Sequence, residues 1–363
     1  MAESFPRRAV AGTIAALTAV VLTATACVPD PDLPCDPSVT ADSLGIATGS
    51  GLDAMPTDRL DRYLDLVDAS GARWIRFDVD WSTVEPERGR SDWSGVDRVV
   101  AAAVERGLQV LGLITNTPAW ARIEESGDDS HGRPSDPAEF GRFAGDAAAR
   151  YAGTVRHWEI WNEPNLTQFF TPAPDVEQYA RLLSAAATAI RAAAPDAVIV
   201  TGGLSPATDN GTDISPTTFL DELYALGVED DFDAVGMHPY SYPALPSDAG
   251  TRRWNAYYRM RNLHAVMADH DDGDTRIWAT EFGAPTGSGE DSVSPDEQAE
   301  ILRDGINEQR RLPFVDKLFV YSLVDRGNAA ADREQNFGIV DHDLDPKPAM
   351  AVVQRAASTP GCI

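Results

Sequence analysis

Lysine is nearly missing from this chain. Among 363 residues only Lys317 and Lys347 are lysines, so arginine supplies almost all of the 30 basic side chains. Against them stand 57 acidic residues, for a net charge of −27. Such a polyanion is repelled by other polyanions, which excludes nucleic acid and makes an anionic membrane surface a poor partner. The acidity itself serves solubility. Cysteine is also scarce, with three residues, and no second His or Cys sits at metal-ligand spacing. Neither a metal nor another cofactor is expected. The Asp-rich stretches 269–274 and 341–345 lack the Gly and terminal Glu spacing of a calcium loop and read as solvated turns. No second composition regime appears, so one monomeric domain is expected. Hydrophobic content of 43% and eight tryptophans are enough for a large core.

The first residues carry an export signal. Arg7 and Arg8 precede an apolar run, Ala9–Leu22, too short to span a bilayer comfortably. Ala24-Thr25-Ala26 has the small-residue pattern of a cleavage site, and Cys27 follows at once. Residues 1–26 therefore read as a signal peptide. Either Cys27 is lipidated, anchoring the protein outside the cell membrane, or the protein is simply secreted. Residues 27–42, rich in Pro and Asp, read as an extended tether. Lipidation of Cys27 would leave Cys35 and Cys362 to pair in an oxidising compartment. They lie at opposite ends of the mature chain, and a closed barrel brings its ends together.

From residue 43 to 363, short β-like apolar runs alternate with amphipathic helices. The runs are 44–48, 73–79, 109–115, 155–161, 197–202, 232–237, 276–280 and 317–323. Helices are predicted at 57–69, 95–106, 137–151, 176–193, 217–226, 253–270, 295–311 and 348–357. Eight strand–helix pairs in one domain predict an α/β fold, a (β/α)8 TIM barrel. In that fold the chemistry sits at the C-terminal ends of the strands.

Two strand ends carry carboxyls. The fourth runs Trp158-Glu159-Ile160-Trp161-Asn162-Glu163-Pro164-Asn165, and the seventh Ile277-Trp278-Ala279-Thr280-Glu281-Phe282-Gly283. A carboxyl among indole rings is poorly solvated, which suits a general acid, and indole faces suit sugar rings. Glu163 and Glu281, at matching heights and three strands apart, can face each other across the barrel mouth. Cleavage of a glycosidic bond needs such a pair. Arg76 on the second strand could hold a carboxylate ionised, or pair with Glu159 or Asp78 inside the barrel. Trp81 could stack on a sugar, and Trp161 could do so or belong to the core. Asp325 and Arg326 could contact hydroxyls or pair with each other.

The segments WEIWNEPN and WATEFG resemble the acid/base and nucleophile strands of clan A glycoside hydrolases, families 39 and 5 in particular. That resemblance implies a retaining hydrolase of β-linked glycosides or polysaccharides. Glu163 would be the general acid/base, Glu281 the nucleophile, and Asn162 the amide that binds the sugar 2-hydroxyl. Arg76 would lie beside the nucleophile, and Tyr240, with His238 on the same strand end, would contact it. Asn116 and Trp120 would border the sugar. Tyr321 would take the place where many members have a Trp. A carbohydrate is the expected partner. A non-catalytic carbohydrate-binding lipoprotein and a transglycosylase would use the same barrel and remain as alternatives. The rim segments 123–135, 205–215 and 240–252 would decide the substrate.

Overall fold

The computed structural model describes residues 33–363. The predicted signal peptide, the lipidation site at Cys27 and the first part of the tether lie outside the described residues.

Eight parallel strands close into a barrel in sequence order, each bonded to the next and β8 to β1. The order is β1 (Leu44–Ala47), α1 (Thr57–Ser70), β2 (Trp74–Asp80), α2 (Trp81–Val84), α3 (Ser94–Glu105), β3 (Gln109–Thr115), α4 (Pro137–Arg150) and β4 (His157–Asn162). It continues through α5 (Val176–Ala193), β5 (Val198–Gly203), α6 (Pro216–Ala225), β6 (Ala234–Met237), α7 (Ala256–Asp269), β7 (Arg276–Phe282), α8 (Pro295–Arg311), β8 (Val315–Tyr321) and α9 (Pro348–Ser358). The predicted (β/α)8 barrel is the observed fold. Its helices start where the sequence punctuates them. Asp136 and Asp175 accept the first free N–H groups of α4 and α5, and Ser294 with Glu297 forms a reciprocal capping box at α8. Proline occupies the first turn of α4, α6, α8 and α9.

Because side chains alternate along a strand, every second residue points inward. The interior is therefore layered. At the bottom Trp74, Trp278 and Phe319 stack edge-on and tilted, with His157 4.6 Å from the Trp74 ring. Burial there, with Lys317 and Arg156 nearby, pushes the His157 imidazole down to about 4. Lys317 sits over both indoles at about 5.5 Å, one use for a rare lysine. The next layer is ionic, with Arg76 and Glu159 both fully buried. Outside the barrel the main apolar core fills the space between strands and helices.

Residues 35–42, expected within an extended tether, are instead fixed to the bottom rim. Cys35 is disulfide-bonded to Cys362, as the cysteine arithmetic allows. Asp36 N–H donates to the Arg310 carbonyl at 2.8 Å, and buried Arg310 donates to the carbonyls of Ala356, Thr359 and Gly361. The eighth strand ends at Tyr321, two residues before the predicted end. The apolar residues beyond it pair with the returning segment instead: Ser322 N–H donates to the Phe337 carbonyl, and Ile339 N–H to the Ser322 carbonyl.

Candidate active site

The site is assembled from strand ends at the barrel top. Arg76 is the third residue of β2 and points inward. Its Nε donates to Glu159 Oε2 at 2.5 Å, its Nη1 to Glu281 Oε1 at 2.6 Å, and its Nη2 to Asn162 Oδ1 at 2.8 Å. Both sequence readings of Arg76 therefore hold together. Glu159 is its anchor, fixed in turn by Gly203 N–H and the Thr280 hydroxyl, each 2.9 Å from Oε1. Burial opposes the Arg76 charge, but Glu159 and Glu281 outweigh it and hold the guanidinium protonated.

Glu281, from β7, receives two further groups. The Tyr240 hydroxyl donates to Oε2 at 2.7 Å, and His238 Nδ1 lies 3.6 Å away. Burial pushes the Glu281 carboxyl up, yet His238 and Arg76, helped by Tyr240, hold it below the ordinary carboxylate range. Glu163 follows β4 and is 7% exposed. Its Oε1 lies 2.8 Å from His238 Nδ1. His238 is itself fully buried; burial opposes its charge, but Glu281 and Glu163 outweigh it and raise its pKa. The backbone leaves no slack beside this ring: a Cβ at Gly203 would lie 2.2 Å from His238 Nε2. A carboxylate oxygen of Glu163 and one of Glu281 lie within 4.8 Å of each other.

Glu163, His238 and Glu281 are also a group among the described residues that could gather a cation. Arg76, bonded to Glu281, already supplies a positive charge there and competes with one.

The backbone is bent to make these contacts. Trp161 and Glu163 have φ of 71° and 48°, and Asn116 has 65°. Non-glycine residues in the left-handed region cost roughly 1–3 kcal/mol each and cluster at functional sites. Above the carboxyls opens a cavity of about 1250 Å³, lined among others by Asp78, Asn116, Asn162, Tyr240 and Tyr321. Asn162 Nδ2 has no protein partner among the described residues, so it is free for a ligand. Asn116 donates through Nδ2 to Asp80 Oδ2 at 2.7 Å. Tyr321 packs edge-on against Phe337 at 5.1 Å, in the strand-end position assigned to it.

Two of the tryptophans expected at the sugar, Trp81 to stack on it and Trp120 to border it, are elsewhere. Trp81 is fully buried: it opens α2, whose cap Asp80 accepts Thr83 N–H, and this turn drives the indole outward onto Phe143, Trp120 and Phe140. Trp120 packs on it and donates to the Glu85 carbonyl at 3.0 Å, away from the cavity lining. Trp161 belongs to the core, against Phe140 and Phe170. The indoles of β4 thus fill the strand–helix interface, and the polar atom at the Glu163 carboxyl comes from His238. Asp325 pairs with Lys347 at 2.7 Å and not with Arg326.

Trp254 is the aromatic that the sequence reading missed. It is 50% exposed and lines the cavity rim. The predicted helix 253–270 would have placed it on the barrel's outside. Asn255 caps α7 by accepting Tyr258 N–H, so the helix starts at Ala256 and Trp254 stays in the loop. An Asn three residues before a helical N–H is a recognisable cap signal.

The sequence model of cellulase (glycosyl hydrolase family 5) matches residues 41–312. No curated protein matches. Among solved structures, a family 39 glycoside hydrolase from Bacteroides cellulosilyticus WH2 is similar at a TM-score of 0.70 and 22% identity, over 89% of this chain and 64% of that one. A monomeric beta-xylosidase from Caulobacter crescentus CB15 is similar at 0.69 and 18%, over 91% and 70%. GH5_18 from Streptomyces cattleya, in complex with GlcNAc, is similar at 0.60 and 19%, over 88% and 80%. This chain thus spans just under two thirds of the first of these. At such identities the likeness is one of fold, and it includes both families whose motifs the strand ends resemble. The sequence match covers most of the chain, and on that ground the protein belongs to glycosyl hydrolase family 5.

Proposed function

We propose that the protein is an exported hydrolase that cleaves β-linked glycosides with retention of anomeric configuration. One observation carries this reading: carboxylate oxygens of Glu163 and Glu281 approach within 4.8 Å. Retaining pairs stand about 5–5.5 Å apart, whereas inverting pairs leave roughly 6.5–9.5 Å for a water. The two carboxyls are also supported unequally, which is what different roles require. Glu281, held ionised by Arg76, His238 and Tyr240, attacks the anomeric carbon. As that bond forms, the bond to the leaving oxygen breaks, and Glu163 gives its proton to that oxygen. Glu163, now a carboxylate, then takes a proton from water. The water oxygen attacks the same carbon and releases Glu281. Two inversions give net retention.

A neutral oligosaccharide or polysaccharide fits the open cavity better than a small aryl glycoside alone. Trp254 on the rim offers an exposed indole face where a second sugar ring would stack. For export, the support is the signal-like sequence 7–26 together with the Cys35–Cys362 disulfide, which suits an oxidising compartment. Anchorage through a lipidated Cys27 follows the same sequence. We read the active unit as a monomer.

The test is a panel of activated 2-deoxy-2-fluoro-β-glycosides followed by intact and peptide mass spectrometry. One glycosyl group on the peptide containing Glu281 is expected, and proton NMR of early products should show the β-anomer first. Label on another residue, or an α-anomer first, would sink the retaining assignment.

A further inference from the structure

We propose that Asp78 and Arg326 form a clamp for the hydroxyls of the glycone, the sugar portion on the far side of the scissile bond from Glu163. The proposal rests on the hydrolase reading above and adds two residues of its glycone site.

Asp78 lies two residues after Arg76 on β2, so it shares the inward face one layer higher. It is half-buried and lines the cavity. No hydrogen bond or ion pair to the Asp78 carboxyl exists among the described residues. A carboxyl partly withdrawn from water and left without a partner costs free energy unless a ligand supplies one. Burial pushes its pKa up to about 7; Asp80 and Glu281 push the same way, while Arg76 and Arg326 pull against it.

Arg326 reaches the same wall from the loop after β8. Its guanidinium lies on the backbone of Gly49, where a Cβ would come within 2.1 Å of Nη2, and 6.0 Å from the Tyr321 ring centre. Its hydrogen-bond partner is Ser50 Oγ, at 3.5 Å. The seat on Gly49 needs glycine twice over, since φ there is 64°. Arg326 and Asp78 line the same cavity, and no ion pair within 4.0 Å joins them. A structural pair would close that gap. Left open on a cavity wall, the two residues offer N–H donors and a carboxylate acceptor to the same space. Neighbouring hydroxyls of a sugar, each both donor and acceptor, complement that arrangement.

Direction follows from the acid. Glu163, directly after β4, must meet the leaving oxygen, so the leaving group departs over the β4–β6 side. Asp78 is on β2, and Gly49 and Arg326 follow the ends of β1 and β8, across the barrel.

The test uses the whole chain and the variants Asp78→Asn and Arg326→Gln, each checked by thermal unfolding. A panel of neutral aryl β-glycosides and oligosaccharides first finds a substrate for the wild type. Each variant is then assayed on it and on monodeoxy glycones. Loss of a hydrogen bond to a charged group predicts a roughly 10- to 100-fold fall in kcat/KM for the parent glycoside. That fall should shrink to about threefold or less on the analogue lacking the clamped hydroxyl, where the bond is already gone. Changing the aryl leaving group should leave the ratio untouched. Variants that match the wild type on every glycone, while the wild type remains active, would overturn the clamp and leave the hydrolase standing. A wild type that neither cleaves nor binds any glycan would overturn both. Arg326 is exposed, so its variant keeps the test valid if the Asp78 variant does not fold.

Discussion

Arg76 holds Glu281 at 2.6 Å while its other edge is clamped to Glu159, so the proposed nucleophile is positioned by a charge that is itself locked in the barrel's middle layer. Replacing Arg76 by Met strands a fully buried Glu159 carboxylate. Removing one partner of a buried pair costs about 3–5 kcal/mol, and a large fall in melting temperature is expected. The double variant Arg76→Met/Glu159→Leu should recover part of that stability, since apolar replacement of a buried pair is often neutral. Its kcat should stay low, because Glu281 has lost its cation. Thermal unfolding and steady-state kinetics on the same preparations separate the two effects. Full activity in the stabilised double variant would show that Glu281 needs no help from Arg76.

The pH behaviour follows from two opposite shifts. Glu281 is held below its ordinary value of 4.5, so its contribution to stability is present above that value and is lost as pH falls through the folded one. His238 is raised above 6.5, so its contribution is present below that value and is lost as pH rises through the folded one. Electrostatic support for the site is therefore greatest between the two ordinary values. A buried His variant such as His238→Gln removes the cation beside Glu281, and the acid limb of kcat/KM should move toward neutral pH. A pH–rate profile of that variant with an unchanged acid limb would show that His238 does not hold Glu281 ionised.

What the sequence revealed depended on whether a local pattern had one physical solution. Strand–helix alternation leaves few alternatives to a closed barrel, and two strand-end carboxyls at matching heights in such a barrel can face each other across its mouth. Glu163 and Glu281 were legible for that reason, Arg76 and Tyr240 through the family resemblance. Trp81 was not, because a single turn of helix after β2 decides whether its indole faces sugar or core. Trp254 turned on a three-residue difference in where α7 begins. Arg326 was read only as a hydroxyl contact or a partner of Asp325, and Asp78 only as a partner of Arg76; that the two line one cavity shows only once the ends of β1, β2 and β8 are brought together.

Trp81 separates core from site by experiment. It is fully buried, its ring lies 5.7 Å from Phe143, and its Nε1 donates to Glu85 at 2.9 Å. Trp81→Ala should cost about 3–5 kcal/mol, as for other large-to-small core changes. KM should change little at temperatures where the variant is folded. Denaturant unfolding and kinetics check this together. A raised KM with unaltered stability would return Trp81 to the substrate site.

The Cys35–Cys362 disulfide closes a loop spanning 327 residues and sits at the end of the barrel opposite the cavity. Cross-linking of this kind stabilises mainly by restricting the unfolded chain, typically by about 2–5 kcal/mol. Cys362→Ser should therefore lower the melting temperature by several degrees, and a reducing agent should lower that of the wild type to match. Because Glu163 and Glu281 are at the other end, kcat/KM below the transition should not change. Calorimetry with and without reductant measures the first effect, and kinetics at 25 °C the second. A wild type whose melting temperature ignores the reductant, with free thiols titrating in the folded state, would show that the two ends of the chain are not joined in solution.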